Sequence, residues 1–333
     1  MTLIERLITN QHYKSLTWGI VFLPLSFIFY LALSLRKYFY EINVFKSNKV
    51  KVPVIVIGNI TLGGTGKTPI IICLAKAFQK KKLNIGVIAR GYKSKLSHVR
   101  EVLESSNYLD VGDEPLLLKK KLECPLYVGA NRFMTAKKLL DDYPNTDIIL
   151  SDDGLQHYNL VRDFEIIVVD GMRAFGNKFL LPVGPLREPL VRLKNVDAVI
   201  INGSSKTDKK IFNVFLAKEL EEKFFFSVNR KKKIRCDKLK DKEIIAMTGI
   251  GNPDRFFNTL KSKDIKFIKR IFPDHYEFKQ KDFDTFIGKT IVMTEKDAIK
   301  CTNIYHNDIW VLPVALSIEK RFVNKILKKV GIE

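Results

Sequence analysis

Apolar and polar positions divide this chain into three stretches with different periodicities. Leu16 to Leu35 is twenty residues without a charge. As a helix rising ~1.5 Å per residue it would be ~30 Å long, the thickness of a bilayer core. From Val52 onward, short apolar runs alternate with helical stretches. The runs are Val52–Ile57, Ile85–Ala89, Pro125–Val128, Asp147–Leu150, Glu165–Asp170 and Ala198–Ile201, with a helical pattern at Ile70–Phe78. That rhythm predicts parallel strands joined by crossover helices. It breaks at Phe224–Asp241, a Lys/Arg-rich stretch that reads as a connection. Strands then recur at Glu243–Met247, Ile265–Ile271, Thr290–Met293 and Asp308–Val314, with helices at Asp254–Lys261 and Glu319–Val330. Asn252 is expected to cap the first of these helices and Pro253 to open it.

With Gly63-Gly64-Thr65-Gly66-Lys67-Thr68 set between the first strand and its helix, the expected fold class is α/β: a P-loop NTPase-like doubly wound parallel sheet, a second, smaller α/β domain and an N-terminal membrane helix. The expected boundaries are a membrane-anchoring helix at 1–40, the main domain at 41–223, a linker at 224–242 and the smaller domain at 243–333. The length suits this division and leaves ample apolar material for a core.

Flanking residues support the membrane reading. Trp18, Tyr38 and Tyr40 stand where interfacial aromatics prefer to be. Arg36, Lys37, Lys46, Lys49 and Lys51 follow the apolar stretch, whereas only Arg6 and Lys14 precede it, which places the downstream side in the cytoplasm. A cleaved export signal ending near Ala32-Leu33-Ser34 would be unusually long and would part a nucleotide site from its nucleotide. Two readings stand: a helix that spans the bilayer, or one that lies in the interface, kinked at Pro24.

Composition adds a charge of +21, from 57 basic and 36 acidic residues. Such a balance favours anionic partners, although solvated lysine faces alone would produce it. No lysine cluster interleaves with aromatics as a nucleic-acid platform would. Cys73, Cys124, Cys236 and Cys301 are scattered, which suggests neither a zinc site nor a disulfide framework and suits a reducing compartment.

The chemistry concentrates at Asn59-Ile-Thr-Leu-Gly-Gly-Thr-Gly-Lys-Thr-Pro69, between a strand and a helix. A glycine-rich turn there lets backbone N–H groups converge on phosphate oxygens at a helix N-terminus. Thr61, Leu62, Gly63, Gly64, Thr65, Gly66, Lys67 and Thr68 form the candidate ATP-binding loop. Lys67 would reach the outer phosphates and Thr68 would offer a hydroxyl to Mg²⁺. Thr61 stands where the usual pattern has glycine. Ile148-Ile149-Leu150-Ser151-Asp152-Asp153 has the form of a strand ending in Mg²⁺-holding carboxylates. Asp113 precedes a helix and is either a cap or a functional acid. His275 lies in a loop, structural or catalytic. Arg187 and Glu188, in a rigid proline-rich segment, either grip a substrate or pair with each other. Arg90 ends a strand facing the same crevice.

Eight segments in order resemble the tetraacyldisaccharide 4′-kinase (lipid A 4′-kinase) family. They are Gly58-Asn59 with Gly63–Pro69, Arg90-Gly91-Tyr92, Gly112–Pro115, Asp152–His157, Leu181-Pro182 through Glu188, Gly249–Pro253, Phe272–His275 and Thr294–Asp297. The resemblance implies transfer of the ATP γ-phosphate to the 4′-hydroxyl of a tetraacylated glucosamine disaccharide 1-phosphate, giving lipid IVA. It implies ATP and Mg²⁺ as cofactors, a lipid substrate and an anionic membrane surface as partners, and action at the cytoplasmic face of the inner membrane. It implies neither a nucleic acid nor an obligate protein partner. By the same resemblance Asp113 would be the base, with His275 bonded to it, and Asp152, Asp153 and Glu188 would serve Mg²⁺ or the transferring phosphate. Asn59, Arg90, His157 and Arg187 are the candidate substrate contacts. Leu155 departs from the aromatic residue often found there. A GTPase would want Asn-Lys-x-Asp, and Thr294-Glu295-Lys296-Asp297 has the wrong order.

Overall fold

A computed structural model describes residues 11–13, 18–91, 98–203, 214–220, 223–228 and 232–332. Arg6, Lys14 and Tyr92 lie outside the described residues. Those described fall into two compact units, one within Leu3–Glu219 plus Leu316–Glu333 and the other within Leu220–Ala315.

The larger unit opens with helix α1 (Leu23–Glu41). Strand β1 (Val54–Gly58) follows, then α2 (Lys67–Gln79), β2 (Ile85–Ala89), β3 (Arg100–Glu101), α3 (Tyr108–Val111), α4 (Asp113–Lys121), β4 (Leu126–Val128) and α5 (Arg132–Asp142). Strands β5 (Ile148–Asp152), β6 (Phe164–Asp170), β7 (Ala198–Asn202) and β8 (Val214–Glu219) continue it. The smaller unit holds β9 (Phe224–Ser227), β10 (Lys233–Arg235), β11 (Ile244–Thr248), α6 (Pro253–Lys261), β12 (Phe267–Ile271), α7 (Lys281–Asp284), β13 (Thr290–Thr294), α8 (Glu295–Ala298) and β14 (Ile309–Leu312). The chain then returns to the larger unit as β15 (Leu316–Ser317) and α9 (Lys320–Lys329).

Among the described residues the larger sheet has nine strands in the order β15-β8-β7-β6-β1-β5-β2-β4-β3. The seven from β8 to β4 run parallel, and β15 and β3 add antiparallel edges. Strand β1 lies between β5 and β6 and is buried throughout. That is why its run is apolar at every position and not at alternate ones. Its carboxyl end, and that of β5, point the two chemical motifs at one crevice.

Among the described residues the smaller unit has six strands, ordered β10-β9-β14-β13-β11-β12. Here two expected boundaries are corrected. Residues 224–242 are not a linker: β9 and β10 pair antiparallel, and β9 pairs with β14. Phe225 is fully buried while Lys233 and Arg235 stay exposed. Basic residues on an edge strand keep it from pairing further, and the same residues make the segment look like a linker in sequence.

The C-terminal segment is the second correction. It belongs to the larger unit, where the Phe322 ring packs 4.4 Å from that of Phe215 and 6.3 Å from that of Phe164. Lys325 donates to the Asp197 carbonyl at 3.2 Å, and Lys329 pairs with the Asp197 carboxylate. A smaller difference concerns Asn252. It stands at the N-cap position with Pro253 first in the helix, but its buried side chain accepts no bond from the helix amides.

Candidate active site

The loop after β1 is shaped from within and from two neighbours. Gly66 adopts φ +85°, a left-handed conformation that costs an L-residue ~1–2 kcal/mol, and α2 begins at the next residue. Asn59, 1 % exposed, donates through Nδ2 to the carbonyls of Thr61 at 2.8 Å and Gly63 at 3.3 Å, folding the loop back on its own strand. Asn202, at the end of β7, donates to the Thr65 carbonyl at 3.0 Å. The proline-rich segment runs alongside: Leu62 N–H donates to Pro185 at 2.7 Å, and Arg187 N–H to Ile60 at 2.7 Å. Its rigidity therefore serves to place Arg187 at the loop.

Four expected residues meet directly. Lys67 Nζ lies 3.3 Å from Asn59 Oδ1 and 3.6 Å from Asp153 Oδ1. Arg187 Nη1 donates to Asp153 Oδ2 at 3.2 Å and to Asn59 Oδ1 at 3.3 Å. For Asp153, burial alone would raise the carboxyl pKa, but Lys67 and Arg187 outweigh it and hold it below the usual range. Asp152 behaves oppositely. Burial, then the Glu114 charge, pushes it up to about 7.

Glu188 is 4 % exposed, with both oxygens engaged. Oε1 accepts from Gln156 Nε2 at 2.5 Å, and Oε2 from Arg192 Nε at 3.2 Å. Gln156 Oε1 in turn accepts from Arg187 at 2.5 Å, so Gln156 joins the Arg187–Asp153 pair to Glu188. Around His157, burial first and then the charges of Arg132 and Arg90 lower the imidazole pKa to about 4, so the ring is neutral at physiological pH. Arg90 itself is exposed.

Asp113 is 5 % exposed and opens α4, where its Oδ1 accepts from Glu114 N–H at 2.8 Å. The helix N-cap is Gly112 and no side chain caps it, so the expectation that Asp113 is a cap is not met: it is the first residue of α4 and engages the next amide.

His275 is carried by the smaller unit at φ +61°. Its N–H donates to the Gly249 carbonyl at 3.2 Å, and Nε2 lies 3.4 Å from Lys296 Nζ. Beneath it, fully buried Asp297 accepts from Thr248 at 2.8 Å, Thr294 at 2.7 Å, Gly249 N–H at 3.2 Å and Lys300 at 2.9 Å. This carboxylate ties together the loops after β11 and β13, which explains two of the eight sequence segments.

Sequence reasoning missed Glu114, Arg132, Gln156 and Asn202. Arg132 is fully buried and donates to the carbonyls of Gly129 at 2.7 Å and Asp152 at 3.2 Å, fixing the end of β5. Nothing in its local pattern separates it from a surface arginine. The available signal for Glu114 and Gln156 was their place inside segments already singled out.

The Mg²⁺ expectation meets a definite donor set. Asp152 Oδ1 is buried without a hydrogen-bond partner. Among the described residues no group of three or more His, Cys, Asp and Glu side chains gathers as a metal cage. Such a site fits a cation that arrives on a nucleotide, with phosphate oxygens and waters completing its shell.

The family model for Tetraacyldisaccharide-1-P 4'-kinase matches residues 18–331. This chain belongs to that family. A tetraacyldisaccharide 4'-kinase of Methylobacillus flagellatus is 39 % identical over 325 residues, covering 98 % of this chain and 96 % of the relative. One of Ruthia magnifica is 42 % identical over 306 residues, covering 91 % and 95 %. A crystal structure described as the "apo" form of LpxK from Aquifex aeolicus in complex with ATP superposes with a TM-score of 0.77 at 28 % identity, covering 94 % of this chain and 99 % of the other. The expected α/β fold class is thereby established for this 4′-kinase.

Proposed function

We propose that this 4′-kinase transfers the γ-phosphate of ATP to the 4′-hydroxyl of tetraacyldisaccharide 1-phosphate, the step of lipid A biosynthesis that forms lipid IVA. The observation that carries this reading is the loop ending in Lys67, joined through Asp153 to Arg187. It gathers two cations and a helix N-terminus where a triphosphate would bind. A sugar hydroxyl is a poor nucleophile, so positioning and charge neutralisation must supply most of the acceleration. Mg²⁺ bound with the nucleotide would supply part of that neutralisation, and Thr68 and Asp152 would hold it.

Within this reading Asp113 accepts the 4′-hydroxyl proton and His275 supports it. Lys67 and Arg187 steady the phosphate oxygens. Asp153 keeps those two cations fixed, and Glu188 keeps Arg192 and Gln156 in place. Asn59, Arg90 and His157 belong to the acceptor side. Purified enzyme given labelled ATP and the disaccharide 1-phosphate should yield a 4′-phosphorylated product. No transfer from ATP would overturn the reading.

The enzyme works at the cytoplasmic face of the inner membrane, with α1 in the interface. Gly19–Glu41 is the one stretch among the described residues that is long and apolar enough to cross a membrane. In α1 the buried residue is Ser26, while Leu25, Phe27, Ile28, Leu31 and Leu35 are exposed, an inversion that suits lipid contact. Both flanks of the helix attach to one unit. His12 Nε2 lies 3.1 Å from the Pro182 carbonyl, and Asn177 N–H donates to the His12 carbonyl at 2.8 Å. Ser26 donates to Leu180 at 2.8 Å, and Arg36 to Gln156 at 3.0 Å. These attachments support a helix lying along one face of the bilayer. Acyl chains cost ~0.8 kcal/mol per CH₂ to expose, so a surface-seated kinase avoids extracting its acceptor. The +21 charge favours anionic head groups. Proteolysis of inside-out and right-side-out vesicles tests the topology, since cleavage before α1 from the far side would exclude it.

A further inference from the structure

The loop that follows β5 carries Asp153 at its start, and it is held from two directions. On the catalytic side, the Gln156 amide accepts from Arg187 and donates to Glu188, both at 2.5 Å. Arg187 continues to Asp153 at 3.2 Å, and Asp153 to Lys67 at 3.6 Å. On the opposite side the same residues are held by the membrane helix and the turn after it. Arg36, near the end of α1, donates through Nη2 to the Gln156 carbonyl at 3.0 Å. The Tyr158 ring lies 5.5 Å from that of Tyr40, tilted by 41°, with the Arg36 guanidinium 6.0 Å and that of Arg162 4.9 Å from its ring centre. Ser47 donates to the Tyr158 carbonyl at 2.7 Å, and Asn48 N–H to the Asn159 carbonyl at 2.9 Å. A narrow cleft of about 70 Å³ runs between the two sides, lined by Leu33, Arg36 and Lys37 from the helix and by Tyr158, Glu188 and Val191 from the domain.

We propose that Arg36 is a positioning residue that couples the seating of α1 in the membrane to the Asp153–Arg187–Lys67 network through the backbone of Gln156. Gln156 serves both sides: its carbonyl accepts from the helix, and its side-chain amide engages Arg187 and Glu188. When α1 sits against the domain, the Gln156 backbone is fixed and its amide can satisfy Arg187 and Glu188 together. When α1 is lifted away, the loop loses its outer support and Asp153 loses its fixed partner geometry. The kinase would thus be most active when its helix is seated at the surface that holds its acceptor. This rests on the kinase reading above.

The test compares Arg36→Ala, Arg36→Lys and Lys37→Ala in the full-length enzyme. Lys37 is the control for charge, because it follows Arg36 on the helix and pairs with Glu41 at 3.4 Å. Each variant is assayed for turnover with ATP and the disaccharide 1-phosphate in mixed micelles, for binding of a non-hydrolysable ATP analogue, and for co-sedimentation with phosphatidylethanolamine/phosphatidylglycerol vesicles. Losing one charge-assisted bond at an exposed site should lower kcat about threefold to tenfold. Analogue affinity and vesicle binding should stay within about twofold of wild type, a band of ~0.4 kcal/mol. Arg36→Lys, which keeps a donor, should recover most of kcat, and Lys37→Ala should match wild type. Wild-type kcat in Arg36→Ala overturns the proposal, as does an equal loss in Lys37→Ala or a loss seen only as weaker vesicle binding. Failure of the wild-type enzyme to phosphorylate the acceptor would instead sink the kinase reading.

Discussion

The chain turns through φ +48° at Asp153, and the carboxylates of Asp152 and Asp153, adjacent in sequence, part company there. Asp153 reaches Lys67 and Arg187, which keep it ionised. Asp152 stays inside, where burial and Glu114 push its pKa up to about 7. The folded protein therefore holds a proton on Asp152 between the ordinary carboxyl value and neutrality, while the unfolded chain does not. Stability from this group is present at low pH and is lost as pH rises through that window. Asp152→Asn should remove this fall, so its stability relative to wild type should improve from pH 4 to pH 8 while turnover drops. Urea titrations at the two pH values check it, and an unchanged difference would show that Asp152 is not perturbed.

His157 should produce the opposite slope. Its folded pKa of about 4 lies below the ordinary 6.5, so the unfolded chain binds the extra proton between those values. Stability is lost as pH falls from 6.5 toward 4. His157→Gln should flatten that acid limb in the same titrations, with little change at pH 7.5.

Lys67→Ala should lower kcat by roughly 10²–10³-fold, the scale for removing one donor aimed at developing charge. Single-turnover assays measure this directly. A loss confined to KM for ATP would assign Lys67 to ground-state binding alone.

Asp113 has two duties that one pair of variants can separate. Asp113→Asn keeps an oxygen for the Glu114 amide and so keeps the helix end. It should still lose ~10²–10⁴-fold in kcat if the carboxylate is the base, with ATP affinity intact. If Asp113→Asn is as active as wild type while Asp113→Ala merely melts earlier, the residue serves only the first turn of the helix.

In the smaller unit, Asp297→Ala would strand Lys300, which is 4 % exposed. Breaking a buried pair on one side costs about 3–5 kcal/mol, so guanidinium unfolding should show a large loss. The double variant Asp297→Leu with Lys300→Met should recover much of it, because no lone buried charge remains.

How much could be read in advance depends on how far apart the informative residues lie. The strand Val54–Gly58, the glycine turn and helix Lys67–Gln79 are contiguous, and each is signalled by its own neighbours. The same holds for β5 with its terminal acids. The doubly wound order follows from alternation of strand and helix, since parallel neighbours need crossovers. The ends of the smaller unit could not be read this way. Phe224–Arg235 looked like a linker because its lysines face solvent, and only its pairing with β14 makes it a strand pair.

By itself, then, the sequence determined the nucleotide loop, the acid-tipped strand, the apolar helix and the succession of strands. Their causes, φ preferences, periodicity and charge, act within a few residues along the chain. Tertiary structure alone decided that Asn202 would brace Thr65, that Arg132 would hold the end of β5, and that Gln156 would link Arg187 to Glu188. It also decided that α9 would pack on Phe164 and Phe215 in the larger unit. Those partners lie tens of residues or more away in sequence. A buried polar group or an aromatic ring takes whatever partner the fold brings within a few ångströms, and no local pattern encodes which one that will be.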